Sequence, residues 1–150
     1  MRKTWQWWER VTDFAPPVGF LLHPDAPLHD TGWRHPEHQG RLRALASTVG
    51  RDLLALHDKV VQVEPGRVTE EDLVRVHTPE YLALLRAHVD RAEKEGAPVP
   101  LDADTIVSGA SWAAATGSTA ALLTAVEQVA SGTLSSAFVA TRPPGHHATP

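Results

Sequence analysis

Cysteine is absent from the sequence, which excludes disulfides, thiol nucleophiles and Cys-type zinc sites and fits a reducing cytoplasm. Long apolar runs are absent as well. None approaches the ~20 residues that span a bilayer, so no membrane partner is expected. The opening Met1-Arg2-Lys3-Thr4-Trp5-Gln6-Trp7-Trp8-Glu9-Arg10 is basic but has no apolar h-region, and does not read as a secretory signal. There is no basic cluster and the net charge is −4, which argues against nucleic acid as a partner. What is plentiful is histidine, nine in 150 residues. Histidine in numbers invites metal or proton chemistry, because its unperturbed pKa lies near neutrality. The length suits one domain or a piece of a larger one, and it allows burial of roughly 68–70% of the unfolded surface.

Along the chain, residues 1–17 hold three of the five Trp and end in Ala15-Pro16-Pro17. They read as an N-terminal arm, helical over Trp5–Val11 and stopped by the prolines. Residues 18–150 read as one folded unit. Val18-Gly19-Phe20-Leu21-Leu22 is a short apolar run, expected as a strand buried on both faces. His23 to Pro36 is a loop. Leu42, Leu45, Val49, Leu53 and Leu56 at helical spacing predict an amphipathic helix over Glu37–Leu56, with Pro36 at its first turn. Val60-Val61-Gln62-Val63 is a second strand.

Thr69-Glu70-Glu71-Asp72 has the form of a capping box opening a short helix to about Val76. Thr78-Pro79 restarts a helix as N-cap and first residue, with His77 as a structural residue at its entry. Its expected buried stripe is Tyr81, Leu84, Leu85, His88 and Val89, and Gly96-Ala97-Pro98 ends it. After a loop over Pro98–Thr105, a helix apolar nearly all round is expected over Ile106–Ala130, with Asp104 as the better N-cap candidate. Ser135–Ala140 is a third strand and runs into Arg142-Pro143-Pro144-Gly145-His146-His147. Helices between separated buried strands indicate an α/β class with a mostly parallel sheet flanked by helices. Ligands of such sheets sit beyond the carboxyl ends of the strands.

In that last segment two prolines stiffen the backbone, and Gly145 permits a sharp turn. Two adjacent imidazoles, His146 and His147, leave the rigid loop. A rigid mount is what a proton-transfer pair needs, because a general base must hold hydrogen-bonding geometry. The alternative is an ordinary surface His pair.

Arg142-Pro143-Pro144-Gly145-His146-His147-Ala148 resembles the signature of the histone deacetylase superfamily, whose bacterial relatives include acetoin-utilisation proteins and acetylpolyamine amidohydrolases. Three further segments agree in order and spacing: His29-Asp30-Thr31-Gly32 with His35-Pro36-Glu37 and Arg41-Leu42; Val76-His77-Thr78-Pro79-Glu80-Tyr81-Leu82; and Leu101-Asp102-Ala103-Asp104-Thr105 before an Ala-rich helix. The resemblance implies an arginase-like, deacetylase-like α/β fold, incomplete in this chain, and a zinc-dependent hydrolysis of acetyl-lysine or acetylpolyamine amides. It implies that His146 and His147 form the acid/base pair. Asp102 matches a carboxylate that holds substrate backbone at the pocket rim, the alternative being a helix cap. Arg41 matches a basic residue near an internal cavity, the alternative being a helix-surface arginine.

In the family the Asp-x-His zinc ligands, a further Asp and an oxyanion-stabilising Tyr follow the His-His turn. Here only Ala148, Thr149 and Pro150 follow it, and the only Tyr, Tyr81, matches a structural position. The expectation is therefore an N-terminal portion of a deacetylase-like protein, inactive alone, with no assigned metal ligands and no tightly bound zinc. Two other readings stand beside it. One is a non-catalytic module that binds a partner or oligomerises through an exposed sheet edge. The other is an improvised metal site of His29, His35, His38 and the His146–His147 pair. Nothing in the sequence requires a histone partner.

Overall fold

A computed structural model describes residues 15–56 and 59–145. The expected helix at Trp5–Val11 and the pair His146 and His147 lie outside the described residues.

Three strands form the main sheet: β1 (Val18–Leu22), β2 (Val60–Gln62) and β5 (Ser136–Ala140). Their order is β2-β1-β5 and both pairings are parallel, with Val18 opposite Val60 and Ser136. The sheet is therefore parallel, as the separated strands predict. β1 lies in the middle, which is why its run is apolar without alternation: each face needs a different cover. Phe20 packs with Leu42 and Ala140, joined by Leu22, Val49 and Val60. Leu21, pointing to the other face, packs with Ala121 and Ala125, joined by Val63, Ala137 and Val139. Helix α1 (Gly40–Asp52) supplies Leu42 and Val49 to the first face, and α4 (Ser111–Ala130) supplies Ala121 and Ala125 to the second.

Between β2 and α4 lie α2 (Glu70–Val74), α3 (Pro79–Glu95) and a short antiparallel hairpin of β3 (Val99–Pro100) and β4 (Ile106–Val107). The capping box of α2 is complete: Thr69 Oγ1 accepts from Asp72 N–H, and Asp72 accepts from Thr69 N–H. α3 opens with Thr78 Oγ1 accepting from Tyr81 N–H and closes on Gly96, whose φ of 64° is the left-handed conformation glycine adopts freely. His77 stacks against Tyr81 at the entry of α3, with ring centroids 5.2 Å apart.

Three boundaries and one buried face differ from expectation. The first helix begins at Gly40, not Glu37, so Pro36 is outside it. The imidazoles explain this: His35 Nδ1 accepts from Glu37 N–H and His38 Nδ1 accepts from Gly40 N–H. Side chains thereby take donors a helix start would otherwise orient. The end of that helix tightens into a 3-10 turn over Leu53–Leu56. The fourth helix begins at Ser111, not Ile106, because β-branched Ile106-Val107 pair with Val99-Pro100 as a hairpin. Asp104 is consequently not its N-cap; Ala110 occupies that position. In α3 the buried residues are Leu82, Val89 and Ala92; of the expected stripe Val89 is buried, Tyr81, Leu85 and His88 are half-buried, and Leu84 is exposed. The cause is its partner: Val89 and Ala92 pack on Val99 and Val107 of the hairpin, with Leu85 and Trp112 beside them.

Candidate functional site

Because β1 and β5 are parallel neighbours, the loops leaving them emerge at the same end of the sheet. The loop after β1 starts with His23, whose ring lies against α4 at Gly117; a Cβ there would come within 2.2 Å of the imidazole. A short 3-10 turn, Ala26–Leu28, then delivers His29 into the interior at 5% exposure. His29 Nδ1 lies 2.7 Å from Ser111 Oγ. Ser111 Oγ also accepts from Ser108 N–H at 2.7 Å and lies 3.2 Å from Ser108 Oγ, which in turn accepts from Asp30 N–H at 3.1 Å. This network ties the β1 loop to the start of α4. Burial, reinforced by the nearby positive charge of Arg142, pushes the His29 pKa down to about 4. His29 is therefore neutral at pH 7 and suited to accept from Ser111 O–H.

The exit of β5 supplies the second element. Arg142 is 3% exposed. Its Nη1 donates to the carbonyl of His29 at 2.8 Å and its Nη2 donates to the carbonyl of Glu37. Its own carbonyl accepts from Ser118 Oγ of α4 at 2.8 Å. Nε lies 3.9 Å from Glu37 Oε2 and makes no hydrogen bond among the described residues. One guanidinium thus grips both ends of the segment from His29 to Glu37. Thr31 Oγ1 donates to the same Glu37 carbonyl at 3.0 Å, and Gly32, at φ 84°, accepts the turn that Asp30 Oδ1 closes on its N–H. After Arg142 the peptide bond to Pro143 is cis, and Gly145 has a φ of 73°. Gly145 thus adopts the turn conformation its sequence position permits.

The other expected site residues take different positions. Arg41, on the first turn of α1, is exposed and pairs with Glu37 Oε1. That carboxylate faces Arg142 through its other oxygen, so Glu37 links the two arginines. Asp102 sits at the tip of the hairpin, where Oδ1 accepts from Asp104 N–H at 2.8 Å and Thr105 N–H at 2.7 Å. It is exposed and caps a turn rather than a helix. Among the described residues no group of three or more His, Asp or Glu side chains is placed to hold a metal ion. His29, His35 and His38 do not gather as three ligands, since each directs a ring nitrogen to a hydroxyl or backbone partner; the His146–His147 half of the improvised site lies outside the described residues. Zinc does not fit the described residues.

Sequence reasoning missed Arg142, Ser108 and Ser111. The signal for Arg142 was its place inside the His-His motif, but its burial depends on three segments far apart in sequence. A cleft of about 350 Å³ near His23, Arg86 and Trp112 is lined by neither Arg41 nor Asp102, the expected site residues among those described.

The histone deacetylase domain family matches residues 35–150. The chain belongs to that family. Among curated relatives of this histone deacetylase-family chain, a "Probable deacetylase" from Archaeoglobus fulgidus is 28% identical over 133 residues, covering 89% of this chain and 35% of the relative. "Histone deacetylase 8" from Arabidopsis thaliana is 32% identical over 142 residues, covering 88% and 36% respectively. A "Histone deacetylase-like amidohydrolase" from Pseudomonas aeruginosa is 29% identical, covering 89% and 32%. The chain thus spans about a third of the length of these relatives. The crystal structure of the HDA15 HD domain superposes with a TM-score of 0.76 at 22% identity, over 90% of this chain and 37% of that one. The histone deacetylase-family chain therefore has a deacetylase-type fold, partial relative to that domain. No helix among the described residues is long and apolar enough to cross a membrane.

Proposed function

We propose that this chain is the N-terminal portion of a deacetylase-like protein that hydrolyses an acetyl-amide, acetyl-lysine or acetylpolyamine, in the cytoplasm. The observation that carries the reading is the family match over residues 35–150, which includes the His-His turn. The convergence of the β1 and β5 exit loops on Arg142 supports it. In this reading His146 and His147 serve as the acid/base pair. One accepts a proton as water adds to the acetyl carbon, and a proton then passes to the departing amine. The two imidazoles titrate as a pair, so the roles belong to the dyad. Asp102, exposed on its hairpin tip, orients substrate backbone, and Arg41, exposed on the first turn of α1, acts on the site only through Glu37, whose carboxylate it shares with Arg142. Zinc is the cofactor of the complete protein in this reading. With no ligand set among the described residues, no step is assigned to it here.

Two measurements test the reading. The 150-residue chain, given zinc and acetyl-lysine or acetylpolyamine substrates, should show no turnover; turnover abolished by a chelator would overturn its inactivity alone. In the translation product of the whole reading frame, His147→Ala should lower kcat by about 100-fold or more while KM stays within a few-fold, the range expected for a general acid/base. Full activity in both His146→Ala and His147→Ala would sink the acid/base assignment.

A second reading has its own observation. Phe138 on edge strand β5 is 55% exposed, and Leu122 and Val126 on α4 are 50% and 64% exposed. Apolar surface beside an open sheet edge favours association. A clean monomer in size-exclusion chromatography would speak against a non-catalytic, associating module.

A further inference from the structure

We propose that Arg142 is a positioning residue that couples the β1 exit loop to the Pro-Pro-Gly-His-His turn. The role assigned to the turn rests on the deacetylase reading; the coupling itself does not.

The observations are geometric. A guanidinium at 3% exposure is costly to desolvate and is retained only where its donors are used. Two of its nitrogens donate to backbone carbonyls, those of His29 and Glu37, at the two ends of one loop. Backbone acceptors do not vary with side-chain identity, so the grip sets the shape of the loop. The planar fork of arginine reaches two such acceptors at once, which a lysine ammonium on a single flexible stem does not reproduce. The carbonyl of the same residue is held by Ser118 Oγ from α4, at 2.8 Å. Arg142 is thus fixed from the loop, from the sheet and from the opposite helix layer, at the last residue before the cis peptide bond that opens the turn. The Glu37 carboxylate, 3.9 Å from Nε and paired with Arg41, supplies the counter-charge. Arg142 therefore ties the loop directly to the residue from which the chain enters the turn.

The distal end of this clamp offers a handle. Thr31 Oγ1 donates to the Glu37 carbonyl that Arg142 also grips. Removing that hydroxyl disturbs the acceptor without touching Arg142 or the turn. The experiment uses the full chain, with imidazole resonances of His146 and His147 assigned by NMR. Thr31→Val should shift those resonances measurably, and the shift should fall by half or more in an Arg142→Lys background that keeps the charge but not the fork. The coupling is overturned if Thr31→Val leaves both imidazoles at their wild-type positions, or if the shift is as large in the Arg142→Lys background as in the wild type. If Arg142→Lys does not fold by circular dichroism, Ser118→Ala replaces it. Loosening the carbonyl tether should then weaken the same response, and an undiminished response overturns the proposal.

A kinetic arm separates the two claims. In the product of the whole reading frame, Arg142→Lys should lower kcat at least tenfold, with KM within twofold. If the wild-type product shows no deacetylation, the deacetylase reading fails while the NMR result still decides the coupling.

Discussion

His29 is a neutral imidazole held where water does not reach, and that makes it a source of acid sensitivity. Unfolded, it titrates near 6.5; folded, at about 4. Between these values the unfolded chain takes up the proton and the folded chain does not. The sign follows: stability is intact above pH 6.5, declines as pH falls, and the whole contribution is lost below pH 4. From pH 7 to pH 5 the loss amounts to about 2 kcal/mol. Urea denaturation at those two pH values should show it, and His29→Gln should flatten the difference; an unaltered pH slope in that variant removes His29 as the cause. The type of residue at position 29 was plain in the sequence, and so was its loop. Its partner Ser111, and Ser108 beyond it, were not, because they lie 82 and 79 positions away and nothing local marks a serine as buried. Arg142 poses the same difficulty in sharper form, since arginine is ordinarily a surface residue.

Elements were most legible where their start and stop chemistry is local. α2 has five residues and no buried side chain, so its complete capping box matters more to it than packing does. Thr69→Ala should cost about 1 kcal/mol. In a chain of this size that lowers the melting temperature by roughly 2–4 °C, with faster amide exchange over residues 70–74. Exchange unchanged at those amides would show that the cap is not what holds the helix. The same local logic placed Thr78, Pro79 and Gly96 at the ends of α3. It failed at α1 and α4 for identifiable reasons. Histidine side chains capture backbone donors ahead of Gly40. Ile106-Val107 find a strand partner in Val99-Pro100, a pairing that helical periodicity does not report. Of the two readings of Asp102, the helix cap is replaced: its carboxylate closes the hairpin tip.

Across the described residues, stability centres on β1, the central strand, whose Phe20 and Leu21 pack into opposite layers. Leu21 has 0% exposure, and it is the largest fully buried side chain among the described residues. Leu21→Ala should destabilise the chain by about 2–5 kcal/mol, the range for a leucine cavity that neighbours only partly fill. Denaturant titration reads this directly, and a loss under 1 kcal/mol would show that the α4 layer collapses onto the gap. The cover is uneven elsewhere. α4 presents small residues, Ala114, Gly117, Ala120, Ala121 and Ala125, to the interior, and leaves Leu122 and Val126 exposed. A helix apolar nearly all round was expected to be buried in a larger body. In this chain its larger apolar side chains are the exposed ones.

The amino-acid sequence by itself determined the α/β class, the three strands of the main sheet, the caps of α2 and α3, and the family, because strand runs, caps and turn motifs are written in consecutive residues. Tertiary structure alone decided the order β2-β1-β5, the burial of His29 and the grip of Arg142 on both ends of the β1 loop. Those features arise when segments distant in the chain meet in and beside a parallel sheet, and the free energy of a buried charge or imidazole is set by that meeting rather than by its neighbours in the chain.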